Sequence, residues 1–215
     1  MTEILGNSSL IFSEDDIYVN IKKFRKTKNI CFITGQSGSG KSTLAKLIMN
    51  TFHAKLVSLD VIDYKLFCGK IYSWDDLKLK CEVLYEYMRS TKKSLYYNTN
   101  VSKEIKEQNT IDFVEWISKQ EGYFVVEGIQ VCYVLLTQTK YRTYPVIFKG
   151  TSHLLSYIRA CCREKSFKRL NFFKWYPYYR EWKTMIDRTR KLVLTEDNYV
   201  CVNENDIKGI KFKKY

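Results

Sequence analysis

The chain has 215 residues with 45% hydrophobic and 15% aromatic content, enough for one globular domain that buries roughly 70% of its unfolded surface without a disulfide or metal staple. The net charge is +13, no apolar run approaches the ~20 residues of a membrane span, and residues 1–13 lack the basic and apolar regions of a secretion signal. Seven cysteines without a Cys-x-x-Cys pair, and two distant histidines (His53 and His153), exclude a disulfide scaffold and a histidine metal site and fit a reduced, cytoplasmic protein with no membrane partner.

Residues 1–27 run from acidic (Glu14, Asp15, Asp16) to basic (Lys22, Lys23, Arg25, Lys26) and read as a peripheral lead-in. Asn29 to Thr34 is a short apolar run that meets glycine, the pattern of a buried parallel strand. After a glycine-serine turn, Leu44, Leu47 and Ile48 fall at helical spacing. Residues 54–58 form a second strand, ending at Leu59-Asp60. Ser73 reads as an N-cap with Asp76 as its box partner, and Leu77, Cys81, Leu84, Tyr85 and Met88 mark one amphipathic helix. Residues 94–101 read as loop or short strand, followed by a helix over about 103–119. Residues 122–127 are a third strand that meets Gly128, and 144–148 a fourth. His153 to Lys165 is helical. Pro177 suits the first turn of a last helix with its apolar stripe at Trp182, Met185, Ile186, Thr189 and Val193. Residues 199–202 are a fifth strand. Strands alternating with helices imply an α/β fold with a parallel sheet covered on both faces.

The turn Gly35-Gln36-Ser37-Gly38-Ser39-Gly40-Lys41-Ser42 fits G-x-x-x-x-G-K-[ST] between a strand and a helix, the context that confirms a phosphate loop. Glycines let backbone N–H groups turn inward, and the helix N-terminus, continuing through Thr43, adds positive potential. Lys41 would reach the β and γ phosphates of ATP, and Ser42 offers an oxygen ligand to Mg2+.

Three further features bear on chemistry. Asp60 and Asp63 follow the second strand, where the carboxyl ends of a parallel sheet face the ligand. Asp60 could take a proton from an attacking hydroxyl or hold Mg2+ through water, and a helix cap is the alternative for both. Glu127 ends a buried strand as a Walker-B carboxylate does, and would orient a metal-bound water unless it is structural. Arg159 and Arg163 lie i, i+4 on one helix face, where they could stabilise phosphoryl charge or be merely solvated. From Arg159 to Lys191 there are eleven Lys/Arg against three Asp/Glu, +8 of the +13, interleaved with Phe172, Phe173, Trp175 and Tyr176.

These motifs resemble the uridine kinase, phosphoribulokinase and bacterial pantothenate kinase group of P-loop kinases. The shared elements are Gly35 to Ala45, Ser58-Leu-Asp60, Val126-Glu127-Gly128-Ile129 and the helix ending Arg163-Glu164. The resemblance covers about residues 29–203. It implies one P-loop NTPase domain over 1–215 with a five-stranded sheet of nucleotide-kinase type, a basic lid over about 159–180, and ATP with Mg2+. It also implies transfer of the γ-phosphoryl group to a hydroxyl of a nucleoside or similar metabolite. Catalytic roles would fall to Asp60, Lys41, Arg159 and Arg163. Nucleotide contacts would come from residues 35–43, Arg163 and Arg169, metal contacts from Ser42, Asp60 and Glu127, and acceptor contacts from Asp60, Asp63, Tyr64 and Tyr97. Adenine would rest near Asp197 to Asn203. The chain departs from the pattern on the acceptor side: Tyr64 comes one residue late, Tyr72-Ser73-Trp74-Asp75 replaces a proline-containing stretch, and Leu170 stands where the lid has glycine. Two other readings stay open. The acceptor could be a nucleic-acid hydroxyl, given the basic aromatic block. Or the chain could be a non-catalytic ATP-sensing module.

Overall fold

A computed structural model describes residues 28–60, 73–92, 103–150, 152–164, 172–193 and 199–202. The strands are β1 (Ile30–Gly35), β2 (Lys55–Ser58), β3 (Phe124–Glu127), β4 (Val146–Lys149) and β5 (Tyr199–Val202). They form one sheet in the order β2-β3-β1-β4-β5. Every pairing is parallel. The carboxyl ends of all five strands therefore open on the same side.

The helices are α1 (Lys41–Phe52), α2 (Trp74–Lys80), α3 (Glu82–Ser90), α4 (Lys103–Ser118), α5 (Val131–Thr137), α6 (His153–Glu164) and α7 (Phe172–Val193), with a 3-10 turn at Thr139–Thr143. Strand alternation divides the core. Cys31, Ile33, Val125 and Ile147 face α1 and pack on Leu44, Ala45, Ile48 and Phe52. Phe32, Val57, Val126 and Phe148 face the other way, onto residues of α3, α4 and α5. Each large side chain so buried contributes roughly 1.5–3 kcal/mol. With both faces covered the central strands β1, β3 and β4 are buried along their whole length, which is why they read as nearly unbroken apolar runs, whereas the edge strand β2 exposes Lys55.

Three elements differ from the sequence expectation. The helix expected over 77–88 is two helices. Cys81 leaves the helical region (φ −157, ψ 82) and separates α2 from α3. The Ser73 cap does form, its hydroxyl accepting from the Asp76 N–H at 3.1 Å. The last helix begins at Phe172 and contains Pro177 within it rather than in its first turn. And α5, with Val131, Cys132, Val134 and Leu135 buried, has no counterpart in the sequence reading. Its seven residues are too few to establish a helical period. The expected lead-in (1–27), Asp63, Tyr64, Tyr97, Arg169 and the 94–101 segment lie outside the described residues. No helix among the described residues is long and apolar enough to cross a membrane.

Candidate active site

The turn from β1 to α1 is held by its own backbone. The Ser39 N–H donates to the Gln36 carbonyl at 3.1 Å, and the Thr43 and Leu44 N–H groups both donate to the Gly40 carbonyl. Gly38 and Gly40 take φ of +84° and +89°, a region that costs other residues about 1–2 kcal/mol. Gly38 is also short of space, since a Cβ there would stand 2.5 Å from the Ser156 carbonyl oxygen and 3.3 Å from Arg159 Cβ. The tip of the loop thus rests on α6, and Arg159 stands beside it.

Register sets the carboxylate next to the loop. Glu127 pairs with Ile33 of β1 on one side and Ser58 of β2 on the other. Its side chain is buried, with Oε1 accepting from the Ser42 hydroxyl at 3.2 Å and Oε2 lying 3.9 Å from the Lys41 ammonium. Lys41, Ser42 and Glu127 therefore converge, although Glu127 follows Ser42 by 85 positions. Beyond β2, Asp60 is exposed and its Oδ1 accepts from Gln130 Nε2 at 3.2 Å.

Buried polar atoms with unused capacity cluster here. Gln36 Oε1, Ser39 Oγ, Glu127 Oε2, Gln130 Oε1 and Ser156 Oγ have no hydrogen-bond partner. Leaving such a group unsatisfied costs about 1–3 kcal/mol. Four of these atoms, all but Gln130 Oε1, lie in or against the loop, the pattern of a site whose partners come from a ligand. Ser42, Asp60 and Glu127 offer only oxygen donors, which fit a hard cation such as Mg2+. No group of three or more His, Cys, Asp or Glu among the described residues forms a metal cage by itself. A cation there would take its remaining ligands from phosphate and water, as Mg2+ commonly does.

Two residues escaped the sequence reading. Lys149 ends β4 in register with Gly35, is 3% exposed, and donates to the Gly150 carbonyl at 3.2 Å. Its Cε lies 3.9 Å from where a Cβ of Gly40 would be, so a second lysine backs the loop. A charged residue closing an apolar strand at the carboxyl edge is the signal that identified Glu127, and it applies equally to Val146-Ile-Phe-Lys149. Gln130 is the other. Gln36, expected at the nucleotide, lies in the loop with its side-chain amide donating to the Tyr179 carbonyl of α7 at 2.7 Å. Arg163 lies on α6, and its side chain is outside the described set.

Burial lifts the Cys31 thiol to about 12 and the Cys132 thiol to about 11, so both are inert core groups.

Residues 12–78, which include the whole loop, match the family described as Novel STAND NTPase 3. No curated protein matches the chain. Among solved structures, a shikimate kinase from Acinetobacter baumannii in complex with shikimate is similar at 15% identity and TM-score 0.46, covering 86% of this chain and 89% of that one. A gluconokinase from Sinorhizobium meliloti 1021 is similar at 13% identity and TM-score 0.41, covering 81% and 82%. A protein described only as uncharacterized, from Eubacterium ventriosum, is similar at 12% identity and TM-score 0.43, covering 85% and 93%.

Proposed function

We propose that this chain is an ATP-dependent phosphotransferase that moves the γ-phosphoryl group to a hydroxyl of a nucleoside or similar small metabolite. The observation that carries the reading is the convergence of Lys41, Ser42 and Glu127 beneath a glycine loop, with Asp60 on the adjoining strand end. The loop N–H groups and Lys41 would bind the polyphosphate. Ser42 and Glu127 would hold Mg2+, which supplies charge neutralisation at the phosphates. Asp60 would accept the proton of the attacking hydroxyl at a carboxylate oxygen, and Arg159 and Arg163 would face the charge that spreads over the transferring group. Closure of a lid between α6 and α7 would exclude water as a competing acceptor.

Incubation with Mg-ATP and a panel of ribonucleosides, polyols and oligonucleotides tests the reading, with mass spectrometry of the products. One acceptor gaining a single phosphoryl group supports it. An Asp60→Asn variant that transfers as fast as wild type removes Asp60 as the base. A phosphorylated oligonucleotide in place of a metabolite would move the acceptor to nucleic acid.

A second reading has its own observation. The Gln36–Tyr179 bond ties the loop to α7, so nucleotide binding could reset that helix for a partner. The NTPase family matched by residues 12–78 is compatible with it. It predicts tight ATP binding and no transfer to any acceptor.

A further inference from the structure

Gln130 lies outside the phosphate loop and is not the Walker-type carboxylate, yet the fold is built around its amide. It is the N-cap of α5, and its side chain makes no capping bond. Instead the buried side chain crosses to the end of β2 and donates to Asp60 Oδ1 at 3.2 Å. The identity of the donor follows from the partner, since an ionised carboxylate only accepts. The backbone gives up a side chain to make room. Gly128 takes φ +151°, and a Cβ there would stand 2.6 Å from Gln130 Oε1 and 3.1 Å from Leu59 Cβ. Leu59 is itself fully buried, and its N–H donates to the Glu127 carbonyl at 2.8 Å. The amide is therefore packed against Gly128, in the space a side chain there would fill. Its Oε1 end has no hydrogen-bond partner.

An amide retained only for stability would be expected to use both ends. Here one end is sacrificed and the other is spent on the exposed carboxylate of the site. A neutral carboxamide can hold a carboxylate without adding charge beside it, which an arginine or lysine in the same slot could not do. We infer that Gln130 is a positioning residue for Asp60. It fixes the carboxylate through Oδ1 and leaves Oδ2 to meet the acceptor hydroxyl. The inference rests on the phosphotransferase reading; the glycine after Glu127, which its φ of +151° already favours, also leaves the amide its place, since a Cβ at 128 would push Oε1 aside.

The test uses the full chain with Mg-ATP and the fastest acceptor from the ribonucleoside and polyol panel. Gln130→Leu removes the donor at similar volume. Gln130→Glu keeps the shape but sets a second carboxylate against Asp60. Both are expected to lower kcat on the order of 10²-fold, the cost of misplacing a reacting group by about 1 Å. KM for ATP should stay within about twofold, because the phosphate loop is untouched. Folded fraction is measured by thermal melting, and rates are expressed per folded molecule. Wild-type kcat in both variants overturns the inference alone. So does a fall in kcat matched by an equal rise in KM for ATP, since that marks a general disturbance of the loop. A wild type that transfers to no acceptor overturns the kinase reading and the inference with it.

Discussion

The side-chain amide of Gln36 donates to the main-chain carbonyl of Tyr179 across 2.7 Å, joining the second residue of the glycine loop to a helix 143 positions later. Gln36 is buried, and Tyr179 sits at the centre of a small cluster with Tyr157, Ala160 and Trp182 that holds α6 against α7. Loop and helical pair are thus one mechanical unit. Gln36→Leu should cost about 1 kcal/mol, the net worth of one such bond. It should also reduce the shift in melting temperature produced by Mg-ATP. Urea denaturation and thermal shift measure the two effects. An unchanged urea midpoint would show that the bond contributes nothing.

Glu127 and Lys41 are both buried and 3.9 Å apart. Glu127→Gln leaves the ammonium without its counter-charge, a change that in buried pairs costs about 3–5 kcal/mol. Inorganic tripolyphosphate supplies replacement negative charge, so it should raise the stability of the variant more than that of wild type. Equal gains in the two proteins would argue against Lys41 facing the phosphate site.

Gly38 and Gly40 share a positive φ but differ in surroundings. Gly38→Ala would meet the Ser156 carbonyl at 2.5 Å, whereas the nearest atom to a Gly40 Cβ is Lys149 Cε at 3.9 Å. Both variants carry about 1–2 kcal/mol of backbone strain. Gly38→Ala should lose more, because α6 must also move. Chemical denaturation of the pair isolates the difference, and identical losses would mean that α6 yields without cost.

The thiols fix an alkaline limit. Cys31 and Cys132 titrate at about 12 and about 11 in the fold, against an ordinary 9.0. The unfolded chain releases these protons first, so the folded state binds more of them above pH 9. Their contribution is complete below pH 9 and is lost as pH rises through 11 and 12, by at most about 1.4 kcal/mol per pH unit per thiol. Stability measured from pH 8 to 11 should decline, and Cys31→Val should flatten the decline. At pH 8 a thiol reagent should label the exposed Cys162 well before Cys31.

Much of the sheet was legible because the central strands β1, β3 and β4 are short apolar runs ending in glycine or a charged residue, and burial on both faces demands that pattern. The split at Cys81 was not, since apolar spacing continues through it and only the backbone turns away. The early start of α7 was hidden by Pro177, which a helix tolerates more readily in its first turn than inside. The pairing of Gln130 with Asp60 joins residues 70 positions apart, and nothing local to either announces the other.

The sequence by itself determined the glycine turn between β1 and α1, because strand, turn, lysine and helix are contiguous and their chemistry is local. It also determined that Glu127 closes a buried strand. Only the tertiary structure decided what surrounds them. The parallel order β2-β3-β1-β4 brings Asp60, Glu127, the loop and Lys149 to one edge. Close approach of α6 and α7 then sets Arg159 and Tyr179 against the loop. The physical reason is that strand order and helix packing are long-range choices. They are made by burying both sheet faces together, and the residues that meet at the sheet's carboxyl edge are a consequence of that burial.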